Sequence, residues 1–330
     1  MRLALVTGAT GFIGRHLVPR LLERGYAVRV VVRNPAKFQA VYPDPRGIET
    51  VTGDLADPAC AARAVNGATH VFHLAGVTKA FDAAAYYRGN VDVTRTIVEA
   101  VLGAVRAPAR FLHVSSLAAV GPCATPDPPA VFDPPAPLTH YGRSKLQGEE
   151  AVRPLATVCP VTVFRPPVVF GPGDTDVLHF FRAVARGWLP IVGDDRKRVS
   201  VVYAPDLAAA LAAAAESVLT VGKTYYPCYT ECYRWSELGR IAAGAMGRNC
   251  RRVVIPLPVV WAVALAAQFA GRIARKPTIL NLEKVREMRA AYWVCSPAEA
   301  AQDFGFQPRW TIDAAIRQTI EWYKDNGQLA

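Results

Sequence analysis

The sequence predicts an α/β fold, a doubly wound parallel sheet carrying a smaller, mainly helical C-terminal lobe. Three observations predict it. Short apolar runs alternate with helical patterns through the first half of the chain, a glycine-rich turn joins the first run to the first helix, and the alternation loosens after about residue 170. The division falls at 1–170 for the sheet domain and 171–330 for a substrate lobe, parts of which return to the main sheet.

Leu3-Ala4-Leu5-Val6 is a buried strand closed by glycines. Ile13–Arg24 has Ile13, Leu17, Leu21 and Leu22 at helical spacing, with Gly25 as its stop. Val28–Val32 is the next strand, rich in β-branched residues. Ile48–Val51, Val71–Leu74, Phe111–Val114 and Val161–Phe164 continue the strands; Cys60–Val65, Val91–Val105 and Tyr141–Val152 are the helices between them. Right-handed crossovers then bring the carboxyl ends of all these strands to one sheet edge. Gly121–Pro137, with seven prolines, breaks the rhythm just before Tyr141 and reads as a loop over a substrate. In the second half, 177–186, 207–217, 235–246, 259–274 and 311–326 look helical.

The 330 residues are 52% hydrophobic and carry a formal charge of +11. That charge suits anionic partners such as NADP, an acyl-CoA or an acidic membrane surface. No basic run exceeds Arg196-Lys197-Arg198, which argues against nucleic acid. Seven dispersed cysteines lack zinc spacing; they read as reduced thiols in a cytoplasmic protein with no metal site. Met1–Val6 is too short for a signal peptide. The apolar stretch 259–274 is shorter than the roughly 20 residues of a membrane span. It reads as a buried helix, with peripheral membrane contact the other reading, given Arg272, Arg275 and Lys276 at its end.

Thr7-Gly8-Ala9-Thr10-Gly11-Phe12-Ile13-Gly14 stands between a strand and a helix, the position of a Rossmann dinucleotide turn. Gly8 permits the tight turn, Gly11 lets backbone approach a pyrophosphate, and Gly14 lets the helix pack on the strand. Thr10, Phe12 and Ile13 supply the intervening amides to the phosphates at the helix N-terminus. At the end of the second strand an acid would take the ribose hydroxyls of NAD, whereas Arg33 is suited to a 2′-phosphate, with Lys37 adding a second charge. NADP(H) is therefore expected in preference to NAD(H). Asp54, followed by Leu55, can accept from the adenine amino group or serve as a turn residue.

Taken in order, Thr7–Gly14, Asp54-Leu55, His73-Leu74-Ala75-Gly76, Asn90, Val114-Ser115-Ser116, Tyr141-x-x-x-Lys145 and Arg165-Pro166-Pro167 resemble an extended short-chain dehydrogenase/reductase, across nearly the whole chain. The branch most similar holds dihydroflavonol reductase and 3β-hydroxysteroid dehydrogenase. The resemblance implies Ser116, Tyr141 and Lys145 as the catalytic set. Tyr141 moves the proton that accompanies hydride transfer, Lys145 lowers its pKa and holds the nicotinamide ribose, and Ser116 binds the substrate oxygen. Ser116 is taken over Ser115 because it lies 25 residues before Tyr141, as in extended relatives. The resemblance also implies cofactor contacts at Leu74, Ala75, Gly76 and Asn90, and through backbone at Pro166–Val168, and a homodimer built on helices 91–105 and 141–152. A plain helix N-cap is the alternative for Asn90.

Two departures point away from sugar nucleotides. Val168 stands where those enzymes usually carry Asn, and Val199 where they carry an Arg for the diphosphate. With Trp188, Trp261 and Phe269 as candidate substrate walls, a hydroxyl/ketone oxidoreductase on a largely hydrophobic small molecule is expected, steroid-like, terpenoid or acyl. A sugar-nucleotide epimerase/dehydratase with tightly held NAD(P), and a non-catalytic NADP-binding protein, are the alternatives.

Overall fold

A computed structural model describes residues 2–129, 134–274 and 281–329. Six strands, β1 (Leu3–Thr7), β2 (Ala27–Val32), β3 (Ile48–Thr52), β4 (His70–His73), β5 (Arg110–Val114) and β6 (Val161–Phe164), join the short strand Thr224–Tyr225 in one parallel sheet. The order across it is β3-β2-β1-β4-β5-β6 and then Thr224–Tyr225. The winding reverses between β1 and β4, so a crevice opens there at the carboxyl edge.

Both faces are covered because the strands are apolar on both sides. Ala4, Leu5 and Val6 have no exposed surface. One face takes helix Gly14–Glu23 through Leu17, Val18 and Leu21, with helix Ala204–Glu216 beside it. The other takes helices Pro58–Val65 and Val93–Leu102 through Ala61, Ile97 and Val101. A second core joins Phe170, Phe181, Tyr203, Leu238, Ile316 and Tyr323 from the distal lobe. There three short parallel pairs stand apart from the main sheet, including Trp188–Val192 with Arg251–Ile255.

Three expectations change. The helix foreseen over 91–105 begins as a π-helical turn, Arg88–Asp92, and ends at Leu102 before Gly103. The side chain of Asn90, described with the site, accounts for the wide turn. Helix Leu257–Ala274 is not buried. Val260 and Ala264 face helix Leu282–Arg289, while Val259, Trp261, Val263, Leu265 and Phe269 are each 44–66% exposed. Trp261 and Phe269, foreseen as substrate walls, are more than half exposed, and Trp188 is half-exposed. Of the basic residues that end this helix, Arg275 and Lys276 lie outside the described residues, as does the side chain of Arg272.

Candidate active site

The crevice is fastened by a residue that sequence reasoning passed over. The Thr7 hydroxyl, at the end of β1, is fully buried and accepts from the Leu74 and Ala75 amides at 3.1 and 3.0 Å. It also bonds His73 Nδ1 at 2.9 Å, and His73 reaches Thr94 Oγ1 at 3.0 Å through its other nitrogen. Burial pushes His73 down to about 3, so the ring is neutral. Gly8 has φ +70°, and a Cβ there would lie 2.9 Å from Ala75 N and Leu74 C. Helix Gly14–Glu23 has no side chain capping its N-terminus and no acid in its first turn. Thr10, Gly11, Phe12 and Ile13 are only partly covered there. An uncapped positive helix end behind a glycine turn fits a dinucleotide diphosphate.

At the end of β2, Arg33 is exposed, and Asn34 caps helix Pro35–Val41 by accepting from the Lys37 amide at 3.0 Å. The sequence put no acid beside Arg33. The sheet brings one: Asp54, past the end of neighbouring β3, lies 3.7 Å from its guanidinium. Both side chains are more than half exposed, so the pair is weak. Asp54 also accepts from the Ala56 amide at 3.0 Å, as a turn residue does, while Leu55 is buried.

Helix His140–Val152 starts at Thr139, whose hydroxyl accepts from the Gly142 amide at 3.1 Å. Its first turn presents Tyr141, and the neighbouring Gly142 packs against the Ala118 carbonyl, which sets the tyrosine beside the turn that follows Ser116. Burial raises Tyr141 to about 12, Ser116 acts downward, and Glu287, Tyr86 and Asp176 act upward. The lowering expected from Lys145 is not what the structure holds. Lys145 donates to the Val114 carbonyl at 2.7 Å and is itself drawn down to about 8 by burial, against the pull of Glu149.

The two serines part company. Ser115 turns its hydroxyl onto Glu149, and that carboxylate takes Arg165 through both oxygens at 2.9 and 2.6 Å. Arg165 also donates to the Tyr226 hydroxyl at 2.6 Å. Ser116 accepts from the Ala118 amide at 3.1 Å and opens the turn Leu117–Ala119 on which the Tyr141 helix packs. Glu149 went unremarked in the sequence, although its place four residues after Lys145 sets it on the same helix face.

Asn90 is not an N-cap. Buried in its π-turn, it accepts from the Val77 amide at 2.7 Å and donates to the Val77 carbonyl and Ser144 Oγ at 3.0 and 2.9 Å. It thus ties the segment after Gly76 to the Tyr141 helix, and its polar atoms are taken up inside the protein. The Pro166 carbonyl accepts from the Leu117 amide at 3.0 Å, and Val168 opens a short strand paired with Val201. Val199 is buried, and its neighbour Arg198 is ion-paired with Glu237 at 3.3 Å. Helix Leu282–Arg289 was unforeseen. Its Glu283 accepts from the His140 amide at 2.9 Å and its Glu287 from the Thr139 hydroxyl at 3.2 Å, so it sits on the start of the Tyr141 helix. The signal was Asn281, which caps that helix.

A seven-stranded parallel sheet with a glycine turn at its switch point and a Tyr-x-x-x-Lys helix at the same edge defines an NAD(P)-dependent enzyme of the extended short-chain dehydrogenase/reductase type. The chain belongs to the NAD dependent epimerase/dehydratase family, which its residues 4–225 match. It is 33% identical to the ceramide reductase of Caulobacter vibrioides (strain NA1000 / CB15N), over 98% of this chain and 95% of that one. It is 27% identical to the 2-alkyl-3-oxoalkanoate reductase of Stenotrophomonas maltophilia (strain K279a), over 95% and 97%. Among solved structures, that of gox2253 superposes with a TM-score of 0.81 at 25% identity, covering both chains completely.

Proposed function

We propose that the protein is an NADP(H)-dependent oxidoreductase that interconverts a hydroxyl and a ketone on a largely hydrophobic small molecule of steroid-like, terpenoid or acyl type. The observation that carries this reading is the helix that holds Tyr141 and Lys145 at the carboxyl edge of the sheet: Gly142 packs it against the Ala118 carbonyl, two residues past Ser116, and the buried Lys145 donates to the Val114 carbonyl at 2.7 Å. The bound nicotinamide would supply or accept the hydride. The residues Gly8 to Gly14 and Leu74 to Gly76 would hold the dinucleotide, with Lys145 on the ribose beside the nicotinamide. Tyr141 would move the proton at the substrate oxygen, and Ser116 would steady that oxygen. Burial holds Tyr141 in its neutral, protonated form.

Val168 and Val199 support a substrate without a nucleotide diphosphate, since neither side chain can bond one and Arg198 is occupied by Glu237. The reductase names of the two relatives agree in kind. Seven thiols, with no disulfide among the described residues, suit a cytoplasmic setting. Helices Val93–Leu102 and His140–Val152, which pack side by side, would form the homodimer face.

Arg33 supports NADP over NAD, its exposed pair with Asp54 being weak enough to yield to a phosphate. Calorimetry with NADPH and NADH side by side tests this. NADPH is expected to bind at least about tenfold tighter, one charge-assisted contact being worth about 1.5–3 kcal/mol. Arg33→Asp should erase the preference. Equal or tighter NADH binding overturns the NADP assignment, and no binding of either overturns the enzyme reading.

A further inference from the structure

Helix Leu257–Ala274 is apolar nearly all round, with Gln268 and Arg272 its only residues of polar side chain and no acid among them. A helix of that composition in water is normally covered on every side. Here Val260 and Ala264 are covered by Val285 and its neighbours, while Val259, Trp261, Val263, Leu265 and Phe269 stand at 44–66% exposure. Strand Arg251–Ile255 leads directly into it. Arg248, Arg251 and Arg252 are exposed, and Arg251 pairs in register with the half-exposed Trp188. Arg252 is the one engaged, at 3.3 Å from Asp195.

We propose that this face is a membrane-docking surface: the helix lies in the interface of an anionic bilayer, with Trp261, Val263 and Phe269 among the acyl chains and Arg248, Arg251 and Arg252 at the headgroups. Aromatic and branched side chains facing apolar medium beside a cationic rim are the features of a helix that lies in the interface plane. No described helix is long and apolar enough to cross a membrane, so the helix lies on the bilayer. Charge selects lipid over a second copy of the chain. A second copy of this helix brings no acid to answer the arginines, whereas an anionic surface complements them.

The surface stands one layer from the candidate site. The buried side of the helix packs on Leu282–Arg289, whose Glu283 and Glu287 hold the start of the Tyr141 helix. Docking there would turn the site toward the phase where an apolar substrate dissolves; this advantage, though not the docking itself, rests on the hydrophobic-substrate reading.

Vesicle flotation of the full chain tests it, with phosphatidylcholine alone and with phosphatidylcholine mixed with phosphatidylglycerol. The protein is expected to float with the mixed vesicles, at least about tenfold more weakly with the neutral ones, and less as salt rises. Trp261→Glu/Phe269→Glu should cut binding to mixed vesicles about tenfold or more, since each ring then no longer leaves water. NADPH binding by calorimetry, unchanged in the variant, shows that it folds. Arg251→Glu/Arg252→Glu, which leaves the helix intact, should erase the preference for anionic vesicles. Failure to float with either vesicle overturns the proposal, as does flotation indifferent to both variants. So does a dimer in light scattering that Trp261→Glu/Phe269→Glu dissolves while vesicles are ignored. Flotation as expected in a protein that binds neither cofactor overturns the oxidoreductase reading and leaves the docking surface standing.

Discussion

Tyr141 draws on opposed influences. Burial and the carboxylates of Glu287 and Asp176 hold it in the neutral form, and Ser116 alone acts the other way. A phenol in that state is a proton store. Tyr141→Phe removes the stored proton and leaves the glycine turn untouched, so turnover should fall by about 10²–10⁴-fold, the usual weight of acid–base assistance. NADPH affinity should hold within about threefold. Steady-state kinetics beside calorimetry check both, and a variant that keeps its rate removes Tyr141 from the proton path. Tyr141 and Lys145 were legible because a four-residue spacing places two side chains on one helix face whatever the tertiary setting. The direction of the Lys145 ammonium was not. The carbonyl it meets belongs to Val114, on a strand distant in sequence.

At the scale of elements, helix His140–Val152 is anchored at both ends by residues from elsewhere. Glu283 and Glu287 hold its start, and Glu149 near its end binds Arg165 beyond β6. Both members of that last pair are largely buried, with side chains 9% and 14% exposed. Glu149→Ala leaves a buried guanidinium without its anion and should cost about 3–5 kcal/mol in urea unfolding. A loss below about 1 kcal/mol would place the pair with ordinary surface bridges. The strands and most helices could be read from the sequence, since apolar runs and glycine stops are local signals. The π-turn at Arg88–Asp92 could not, because it follows from Asn90 reaching Val77 and Ser144 at once. Nor could the exposure of Leu257–Ala274. An apolar helix looks the same in sequence whether protein covers it or not.

Over the whole molecule, several histidines are held uncharged. His73 and His113 stack at 5.5 Å inside the sheet, and burial lowers both, with His16 brought to about 4 and His70 lowered as well. The unfolded chain takes up those protons near pH 6.5 and the folded one does not. The unfolded state therefore binds more protons, and stability must fall as pH drops through that region. The urea midpoint should be lower at pH about 5 than at about 7.5. An unchanged or higher midpoint would mean that these rings are charged in the fold.

The last strand of the sheet, Thr224–Tyr225, pairs with β6, which the ribosome has made long before. A parallel partner cannot arrive by a local hairpin; it waits for the intervening chain. During synthesis β6 therefore shows an open edge of amides and carbonyls. Nascent chains that stop short of residue 225 carry that edge without its cover, and they are the form most prone to pair with one another.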